Sequence, residues 1–478
     1  MSAQLYLGGL DVGTSGCKVT VFRADGQCAE SHYAPYESHH TADTHTISGR
    51  DILRAVEQVL GAVTVPLAAL GVTSFGESFA LLDEHNQILA DTMLYNDPRG
   101  STEAQSFDPD DVMRTCCCAP AAMYSLPKLM WLRTHRPDLW ARTRRVLLMG
   151  DLVIQMLTGE CVTNYSAAAR TMGFDVRRKC WDTALLAHAG IDPALLPSVA
   201  APGTIVGTSH RCGLRGTKIL TTLHDQGAAA LGAGALSPGD AVDGSGSVEC
   251  LTPIAADFPT DTALLRAGAS FVPYVDGQAA GCAFSYTGGT ALKWYRDRFA
   301  PTASYRELDD AAGDTPSRLL FLPHLAGAAS PYMDPDARGL LYGLTLGTTP
   351  AQLYRAIMEG VAYEFRVNLD MMAAGGIRPA RLLATGGGAK SRVWNQIKAD
   401  ITGLPLTVVD LPEVGAAGAA MLGAQALGLV STLREAASLF SRTGETFAPN
   451  ASRRAQYDDA YARYREMYAM ARGLRANA

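Results

Sequence analysis

The sequence predicts an α/β protein with two domains. Apolar, β-rich segments alternate with helical segments along most of the 478 residues, which is typical of sheets packed against helices. The strand–turn–strand layout of residues 5–22 recurs at 239–254, although the residues differ, and this recurrence indicates an old duplication. A chain of this length also exceeds what one hydrophobic core organises. We therefore expect one domain at 1–241 and a second at 242–478.

The N-terminal half begins with a hairpin and continues as strands and helices. Its strands are recognised by apolar, β-branched runs, and its helices by apolar residues at helical spacing. Gly159 is placed to end the third helix, because glycine readily adopts the left-handed conformation found there. In chain order the predicted elements are strands at 5–11, 18–24 and 67–75 and helices at 50–62, 124–135 and 151–158.

The C-terminal half repeats the pattern and ends in helices. Residues 381–403 predict a strand, a triple-glycine turn and a helix, and further helices are expected at 287–299 and 350–372. The Gly/Ala-rich stretch 415–428 predicts a helix of small residues that can pack closely against another backbone. The charged, Tyr-rich stretch after residue 450 predicts a surface helix.

Composition and charge exclude several classes of function. The formal net charge is −6 and charged residues make up 18% of the chain, which is ordinary for a soluble globular protein. No basic block or stripe is present, so nucleic acid is not an expected partner. No apolar run reaches the ~18 residues of a membrane-spanning helix, and the N-terminus has no signal-peptide pattern. We expect a cytoplasmic protein with no membrane partner.

The ten cysteines form no recognisable metal or disulfide pattern. Cys116, Cys117 and Cys118 are consecutive, and the other seven are scattered. No C-x-x-C pair occurs, so a zinc site is not expected. A disulfide framework fits poorly with a long chain that has no secretion signal. Since free cysteine is among the most buried residue types, we expect buried free thiols.

The turn after the first strand is a candidate phosphate and metal site. Asp11 ends the strand, and Gly13, Thr14 and Ser15 precede Lys18. Glycine lets a backbone approach an anion, while hydroxyls and turn N–H groups can surround phosphate oxygens. Asp11 could hold magnesium through water, because this ion sheds its water reluctantly. The alternative is an ordinary tight hairpin, and no P-loop motif occurs in the chain.

Two further segments have a catalytic and a structural interpretation. Asp225, between His224 and Gln226, opens an Ala/Gly-rich helix, where an aspartate can be a helix cap or a general base for a substrate hydroxyl. The triple-glycine turn 386–388 could contact phosphate or adenosine at a helix N-terminus, or it could be a plain tight turn. The residues alone leave both choices open.

Two polar residues that follow strands are candidates for contact with a substrate. Glu77 stands among small and apolar residues directly after the predicted strand 67–75, where its carboxylate could accept hydrogen bonds from hydroxyl groups. Asn96 opens a turn with Asp97, Pro98 and Arg99, and it could line a polar pocket. For Glu77 the alternative is exposure in a solvent-facing loop, and for Asn96 it is an ordinary turn.

In their order along the chain, these motifs resemble the FGGY carbohydrate kinases, the family of xylulokinase, glycerol kinase and fuculokinase. Residues 11–18 resemble the family's first phosphate turn, and 224–241 resemble its catalytic-base segment. Residues 123–135 and 339–359 are similar to its N- and C-terminal signatures. The stretch 157–182 is also close to family form. The resemblance covers nearly the whole chain.

The resemblance implies an ATP- and magnesium-dependent sugar kinase with the actin-like ATPase (ribonuclease H-like) fold, in which two α/β domains flank a cleft. It implies that Asp225 is the general base and that Asp11 and Asp225 are the residues on the magnesium side. The residues expected to contact phosphates and nucleotide are Thr14, Ser15, Lys18, Gly244, Ser245, Gly246, Gly289, Gly387 and Gly388. The residues expected to contact the substrate are Gly76, Glu77, Asn96, Asp225 and Gln226.

The expected substrate pocket combines features of several family members. Glu77 stands where xylulokinases usually carry a histidine and where glycerol kinases carry a glutamate. The arginine and tyrosine of the glycerol kinase pocket are Gly76 and Met123 here. The pairs Phe75-Gly76 and His224-Asp225 are similar to those of fuculokinases and rhamnulokinases. We therefore expect a small ketose, such as a xylulose-like sugar, or a polyol, with a deoxy-ketose as the alternative.

Two other classes of function remain for comparison. A sugar sensor or nucleotide switch of the same fold would be expected to lack the base or the phosphate turns, and both are present in this sequence. A nicotinamide or flavin enzyme would carry G-x-G-x-x-G with an acid ~20 residues later, which the chain lacks. The resemblance also implies a possible homodimer, since family members are often dimers or tetramers.

Overall fold

A computed structural model describes residues 5–411 and 413–476 and divides the chain into two compact units. Unit 1 comprises Met1–Leu236, Phe271–Ala280 and Glu413–Arg442, and unit 2 comprises Ser237–Ser270, Gly281–Pro412 and Thr443–Ala478. Both units are therefore discontinuous in sequence. The single boundary at 241/242 stays a prediction about the family's domains, since compactness and sequence homology need not divide a chain at the same residue.

Unit 1 is organised on a six-stranded sheet in the order β14-β15-β6-β1-β2-β3. Its three central strands β15, β6 and β1 are parallel, and the pairs β1–β2, β2–β3 and β14–β15 are antiparallel. The strands up to residue 224 are β1 Tyr6–Val12, β2 Gly16–Arg23, β3 Cys28–Pro35, β4 Ser38–His40, β5 His45–Ile47, β6 Leu67–Ser74, β7 Phe79–Leu82, β8 Thr92–Met93, β9 Arg145–Leu148, β10 Val162–Asn164, β11 Phe174–Asp175, β12 Cys180–Trp181, β13 Ser198–Ala200, β14 Thr204–Ser209 and β15 Thr217–His224.

The helices of the first 236 residues confirm the three that the sequence predicts. α1 begins at its cap Ser48, whose side chain accepts from the N–H of Asp51, and α6 ends at Gly159 in the left-handed conformation. The helices are α1 Gly49–Gly61, α2 Ser101–Ala104, α3 Pro109–Cys116, α4 Ser125–His135, α5 Pro137–Arg142, α6 Met149–Thr158, α7 Tyr165–Ala169, α8 Thr183–Ala189 and α9 Asp225–Gly232, with a 3₁₀ turn at Pro193–Leu195.

Two layers of helices cover the sheet of unit 1. On one side, sheet residues such as Leu10 and Leu70 pack with Ile52 of α1 and Leu152 of α6 in one buried cluster. The other layer includes a small-residue helix, as predicted for 415–428, and it brings the segment Glu413–Arg442 back to unit 1. That segment holds α15 Val414–Ala426 and α16 Leu433–Phe440.

Glycines allow α15 to approach its neighbours backbone to backbone. A Cβ on Gly9 of β1 would clash with the carbonyl of Ala416, and one on Gly418 would clash with the carbonyl of Ala228 in α9. These contacts leave no space for a side chain at either glycine. The close approach predicted from the Gly/Ala composition is therefore confirmed.

A seven-stranded sheet with the order β18-β19-β17-β16-β22-β23-β24 organises unit 2, and the last five of these strands lie wholly within it. β16–β17 is antiparallel and β16–β22 is parallel, which repeats the arrangement of β1 with β2 and β6. The strands after residue 239 are β16 Asp240–Ser245, β17 Glu249–Ala255, β18 Ser270–Pro273, β19 Ala279–Ser285, β20 Leu320–Leu322, β21 Leu340–Tyr342, β22 Arg381–Thr385, β23 Leu406–Val409 and β24 Thr443–Phe447.

The long central helix of unit 2 packs against the last helix of the chain. Tyr457 and Tyr464 of the last helix are buried, and the Tyr464 hydroxyl donates to Glu364 at 2.6 Å. The prediction of a surface helix after residue 450 is therefore correct only for its charged face. The helices are α10 Thr262–Arg266, α11 Gly289–Phe299, α12 Tyr305–Ala312, α13 Pro350–Ala374, α14 Arg392–Thr402 and α17 Ala451–Ala476, with 3₁₀ turns at Val275–Gly277 and Gly388–Lys390.

The ten cysteines are all free, but only five are buried. Cys116, Cys117 and Cys118 are among the buried ones, as expected. Cys28 is exposed because it begins β3, the edge strand of its sheet, so the prediction of buried thiols is wrong for this residue. Among the described residues, no helix is long and apolar enough to cross a membrane.

Candidate active site

Three parallel strands of unit 1 end side by side and bring the predicted acidic residues to one edge of the sheet. Asp11 of β1 lies opposite Thr73 of β6, and His224 of β15 lies opposite Ser74. The N–H of Phe75 donates to the carbonyl of Val12 at 3.0 Å, so β6 leaves the sheet beside the end of β1. Because carboxyl ends of parallel strands meet at one edge, this topology is a common place for a site.

The first turn holds its backbone tightly and leaves its hydroxyl side chains exposed. The N–H of Gly13 donates to the carbonyl of Gly16 at 3.0 Å, and the Tyr36 hydroxyl donates to the carbonyl of Gly13. A Cβ on Gly16 would clash with the ring of Tyr33. Thr14 and Ser15, at the tip, are exposed. Tyr33 and Tyr36 thus hold the backbone of the turn, while the side chains at its tip face solvent.

Asp11 lies in a negatively charged environment. Burial is the main reason that its pKa rises to about 7, and the charges of Asp225 and Glu413 raise it further, against the opposing charge of Lys18. Its Oδ1 is buried and has no hydrogen-bond partner among the described residues. A Cβ on Gly415 of α15 would lie 3.1 Å from Oδ2. The acid at the strand end therefore has an unused oxygen.

Lys18 does not pair with Asp11, its cross-strand neighbour. Its Nζ donates to Oε1 of Glu413 at 2.6 Å, and both side chains are partly exposed. Glu413 directly precedes α15 and was not identified from the sequence. The lysine expected to face phosphates is thus held, in this structure, by an acid 395 residues away along the chain.

Asp225 is the first residue of α9, directly after the end of β15. Its Oδ1 accepts from the N–H of Gln226 at 2.6 Å and lies 3.1 Å from Nε2 of His224. Burial raises the pKa of Asp225 to about 6, although the hydrogen bond from Gln226 and the charge of Arg170 oppose that rise. Burial lowers the pKa of His224 to about 4, so the imidazole is neutral at pH 7. The two groups are therefore a neutral ring and a carboxyl group 3.1 Å apart.

Glu77 is buried rather than exposed, and its carboxylate is paired. Arg170, which follows α7, donates to Oε1 of Glu77 through Nε at 2.5 Å and through a second nitrogen. Glu77 has φ +64, and its carbonyl accepts from the hydroxyl of Ser125 at 2.6 Å. A Cβ on the preceding Gly76 would lie 2.8 Å from the His224 ring. Arg170 lies in the stretch 157–182 but was not identified from the sequence as a site residue.

Other residues predicted to contact the substrate lie at the surface. Gln226 is exposed on α9, and Asn96 is exposed in the turn after β8. The buried residue of that turn is Asp97, which pairs with Arg99 at 2.6 Å and accepts from the N–H of His45 at 2.8 Å. Asp97 therefore stabilises the loop, while Asn96 is exposed.

The glycines predicted to contact nucleotide in unit 2 lie in three touching turns. The N–H of Gly289 donates to the carbonyl of Gly246 at 2.8 Å. Gly388 has no space for a Cβ, because one would clash with the hydroxyl of Ser245. A Cβ on Gly387 would meet open space, and this residue is exposed. Gly388 thus serves packing, whereas Gly246 and Gly387 present backbone to solvent.

The turn between β16 and β17 is underlain by a buried ionic cluster that the sequence did not reveal. Nζ of Lys398 donates to Asp243 Oδ2 and to Ser245 Oγ, each at 2.8 Å, and to Glu249. All four side chains are almost completely buried. Asp243 lies near the end of the first strand of its strand–turn–strand module, as Asp11 does in the module of residues 6–23.

The described residues include no group of three or more His, Cys, Asp or Glu side chains placed to bind a metal directly. A magnesium ion bound mainly through water and phosphate oxygens would not need such a group. The unpartnered, buried Oδ1 of Asp11 fits that second kind of site, since one carboxylate oxygen is available to accept from metal-bound water.

Comparisons with known proteins give one consistent result. Residues 6–232 match the N-terminal domain of the FGGY family of carbohydrate kinases, and residues 264–427 match its C-terminal domain. The chain is 26% identical to a xylulose kinase of Bacillus subtilis (strain 168), over 98% of each chain. It is 30% identical to a glycerol kinase of Halorhodospira halophila, over 89% of each. A crystal structure of a gluconate kinase from Lactobacillus acidophilus superposes with a TM-score of 0.92 at 23% identity, covering 98% of this chain and 99% of that one.

Proposed function

The chain belongs to the FGGY family of carbohydrate kinases, and from this premise we propose that Asp225 is the general base in transfer of the γ-phosphoryl group of ATP to a small ketose or polyol. Membership makes the protein an ATP-dependent phosphotransferase with an alcohol group as acceptor, built on the actin-like ATPase fold. The observation that carries the proposal is the position of Asp225, at the strand edge where Asp11 and Glu77 also lie.

The surroundings of Asp225 suit a base. A pKa of about 6 leaves the carboxylate ionised at pH 7 and makes it more basic than a free aspartate. The hydrogen bond from Gln226 and the contact with His224 both fall on Oδ1. Oδ2 would then take the proton from the attacking hydroxyl. Phosphoryl transfer needs little else from the protein than positioning, charge stabilisation and one such group.

The first turn suits a phosphate group with its cation. Thr14 and Ser15 would donate hydroxyl hydrogen bonds to phosphate oxygens, and Asp11 would accept from water on magnesium. Magnesium would neutralise charge on the phosphates. Lys18 would also contact the phosphate oxygens, and its ammonium would then be shared between them and Glu413. In unit 2, the backbone at Gly244–Gly246, Gly289 and Gly387 would contact the nucleotide.

The charge balance of the substrate residues favours a neutral polyhydroxylated acceptor. Glu77 and Arg170 neutralise each other, so together they offer hydrogen bonds without net charge. Exposed Gln226 and Asn96 and the small Gly76 would complete the pocket. A xylulose-like ketose or a polyol such as glycerol fits this description better than a sugar acid. A homodimer and a cytoplasmic location stay predictions from the sequence.

The proposal is tested by release of ADP that depends on the acceptor. A coupled assay would screen ketopentoses, deoxy-ketohexoses, tetroses, polyols and gluconate. With the best acceptor, Asp225→Asn should lower kcat by about 10²- to 10⁴-fold, since this is the usual contribution of a general base. Asp182→Asn is the matched control, because Asp182 also stands at a helix start but only caps α8. An Asp225→Asn variant as active as wild type would refute the assignment.

A further inference from the structure

We propose that Lys398 is a positioning residue that fixes the turn of residues 244–248 in the geometry that binds nucleotide phosphates. The inference rests on the proposed function, because that function assigns phosphate contact to this turn. Lys398 stands in the middle of α14, and its partners Asp243, Ser245 and Glu249 all belong to the β16–turn–β17 module.

The ammonium of Lys398 uses its full donor capacity on this one module. An ammonium group has three N–H donors, and three acceptors surround it: Asp243 Oδ2, Ser245 Oγ and Glu249 Oε1. Two of the acceptors stand on the strand before the turn and one on the strand after it. The lysine therefore connects the two ends of the turn across its base.

In this cluster one ammonium lies between two carboxyl groups in the protein interior. Burial, together with the charge and hydrogen bond of Asp243, raises the pKa of Glu249 well above its ordinary value, although Lys398 opposes this. Burial alone would lower the pKa of Lys398, but the neighbouring carboxylates outweigh it and raise that pKa. The ammonium of Lys398 is thus held between two carboxyl groups that are buried with it.

Lys398 also sets the turn against the glycine turn that begins its own helix segment. The hydroxyl of Ser245, which Lys398 holds, occupies the space that a side chain at residue 388 would need. The Lys398 ammonium lies 4.4 Å from the ring centre of Trp394, one helical turn earlier. Gly387, next to this contact, is exposed. The Ser245 side chain therefore sets the position of the turn 244–248 relative to the turn 386–388, and both turns are expected to face the nucleotide.

Stability alone does not account for such a cluster. Replacing a buried ion pair with well-packed hydrophobic residues of similar volume is often neutral or stabilising. Such a replacement would lose the three hydrogen bonds that the Lys398 ammonium donates to the two ends of the turn. This difference separates a positioning role from a purely structural one.

The test compares a single and a triple variant by nucleotide affinity. Lys398→Met leaves two buried acids without their cation, and it is expected to unfold at lower temperature. Combining it with Asp243→Asn and Glu249→Gln removes all the charges, so the triple variant should regain a melting temperature near that of wild type. Its dissociation constant for a fluorescent ADP analogue (mant-ADP) should nevertheless be raised roughly 10- to 100-fold, since a small misplacement of contacts costs this much.

Three readouts decide the outcome. In the kinase assay, the triple variant should raise the KM for ATP and leave the KM for the sugar unchanged, which a general loss of folded protein would not do. Lys293→Met, at an exposed ion pair of α11, is the control for loss of a lysine and should bind mant-ADP as wild type does. A triple variant that binds mant-ADP with wild-type affinity, or that fails to fold, would overturn the proposal.

The nucleotide measurement also separates this inference from the proposed function. If wild-type protein binds mant-ADP but phosphorylates no acceptor, the acceptor chemistry proposed above is wrong, while the variants still report on Lys398. If acceptors are phosphorylated and the triple variant keeps its nucleotide affinity, the proposed function stands and the role of Lys398 is refuted.

Discussion

The two strand–turn–strand modules share a backbone plan and differ in what they do with their acids. In each, an aspartate lies near the end of a strand that pairs in parallel with one neighbour and antiparallel with the other, Asp11 in unit 1 and Asp243 in unit 2. Asp243 is fully buried and bound to Lys398. Asp11 is partly buried and lies near other carboxylates, and Lys18, its cross-strand neighbour, pairs with Glu413 instead. In both aspartates Oδ1 is without a hydrogen-bond partner among the described residues, so the difference lies in the cation.

The difference shows how one folding plan supports two tasks. The cation of the unit 2 module is supplied by the protein, because Lys398 lies against Asp243 and Glu249. The cation that the unit 1 module could use, Lys18, is taken by Glu413. An acid left unpaired in a negative environment is costly to the fold and useful only if a cation arrives from solution. We therefore expect mutations of the two aspartates to have opposite signatures.

In the comparison of the two modules, the largest effect should come from Asp11→Asn, on activity. Loss of an oriented charge near the phosphates should lower kcat by about 10²- to 10³-fold at saturating ATP and magnesium. The melting temperature should not fall, because the substitution removes a charge that the fold does not pair. Asp25→Asn, at the exposed hairpin tip after β2, is the control. If Asp11→Asn unfolds the protein instead, the contrast between the modules is wrong.

Asp243→Asn should show the reverse, a loss of stability. Removing one partner of a buried ion pair destabilises a protein by about 3 kcal/mol or more, since the other charge is left uncompensated. Urea denaturation of the variant would measure this. Asp297→Asn breaks an exposed pair on α11 and should change stability by no more than about 0.5 kcal/mol. Equal stability of Asp243→Asn and wild type would show that Lys398 does not need this partner.

The sequence predicts features that depend on neighbouring residues, and it does not predict contacts between residues that are far apart along the chain. Most helices and strands, and both strand–turn–strand modules, could be located from short stretches of sequence, by their helix caps, their glycine turns and the order of the motifs. Lys398 and Asp243 are 155 residues apart, Arg170 and Glu77 are 93 apart, and no short pattern announces either pair. The return of 413–442 to unit 1 depends on close packing of α15 against β1, which composition indicated without naming the partner strand.

The pH dependence of stability should also distinguish the modules. The pKa of Asp11 is raised from 3.8 to about 7 in the fold, so its stabilising contribution is present below pH 4 and is lost as the pH rises toward 7. Asn at this position cannot ionise, so Asp11→Asn should gain on wild type over that range, by about 2 kcal/mol for a partly exposed group. Parallel urea titrations at pH 5 and pH 8 would measure the difference. A constant difference between the two proteins would contradict the raised pKa.

The smallest effect should come from mutations of the Lys18–Glu413 pair. The direction in which each mutation shifts the pH dependence of stability is the informative result. Both side chains are about a third exposed or less, so the pair itself contributes no more than about 1 kcal/mol. Glu413→Gln removes a negative charge that raises the pKa of Asp11 and also frees Lys18, so the pH at which stability is lost should move down. Lys18→Met removes the opposing positive charge, so it should move that pH up. Shifts in the same direction in both variants would mean that Asp11 does not sense this pair, and that the negative character of the first module has another source.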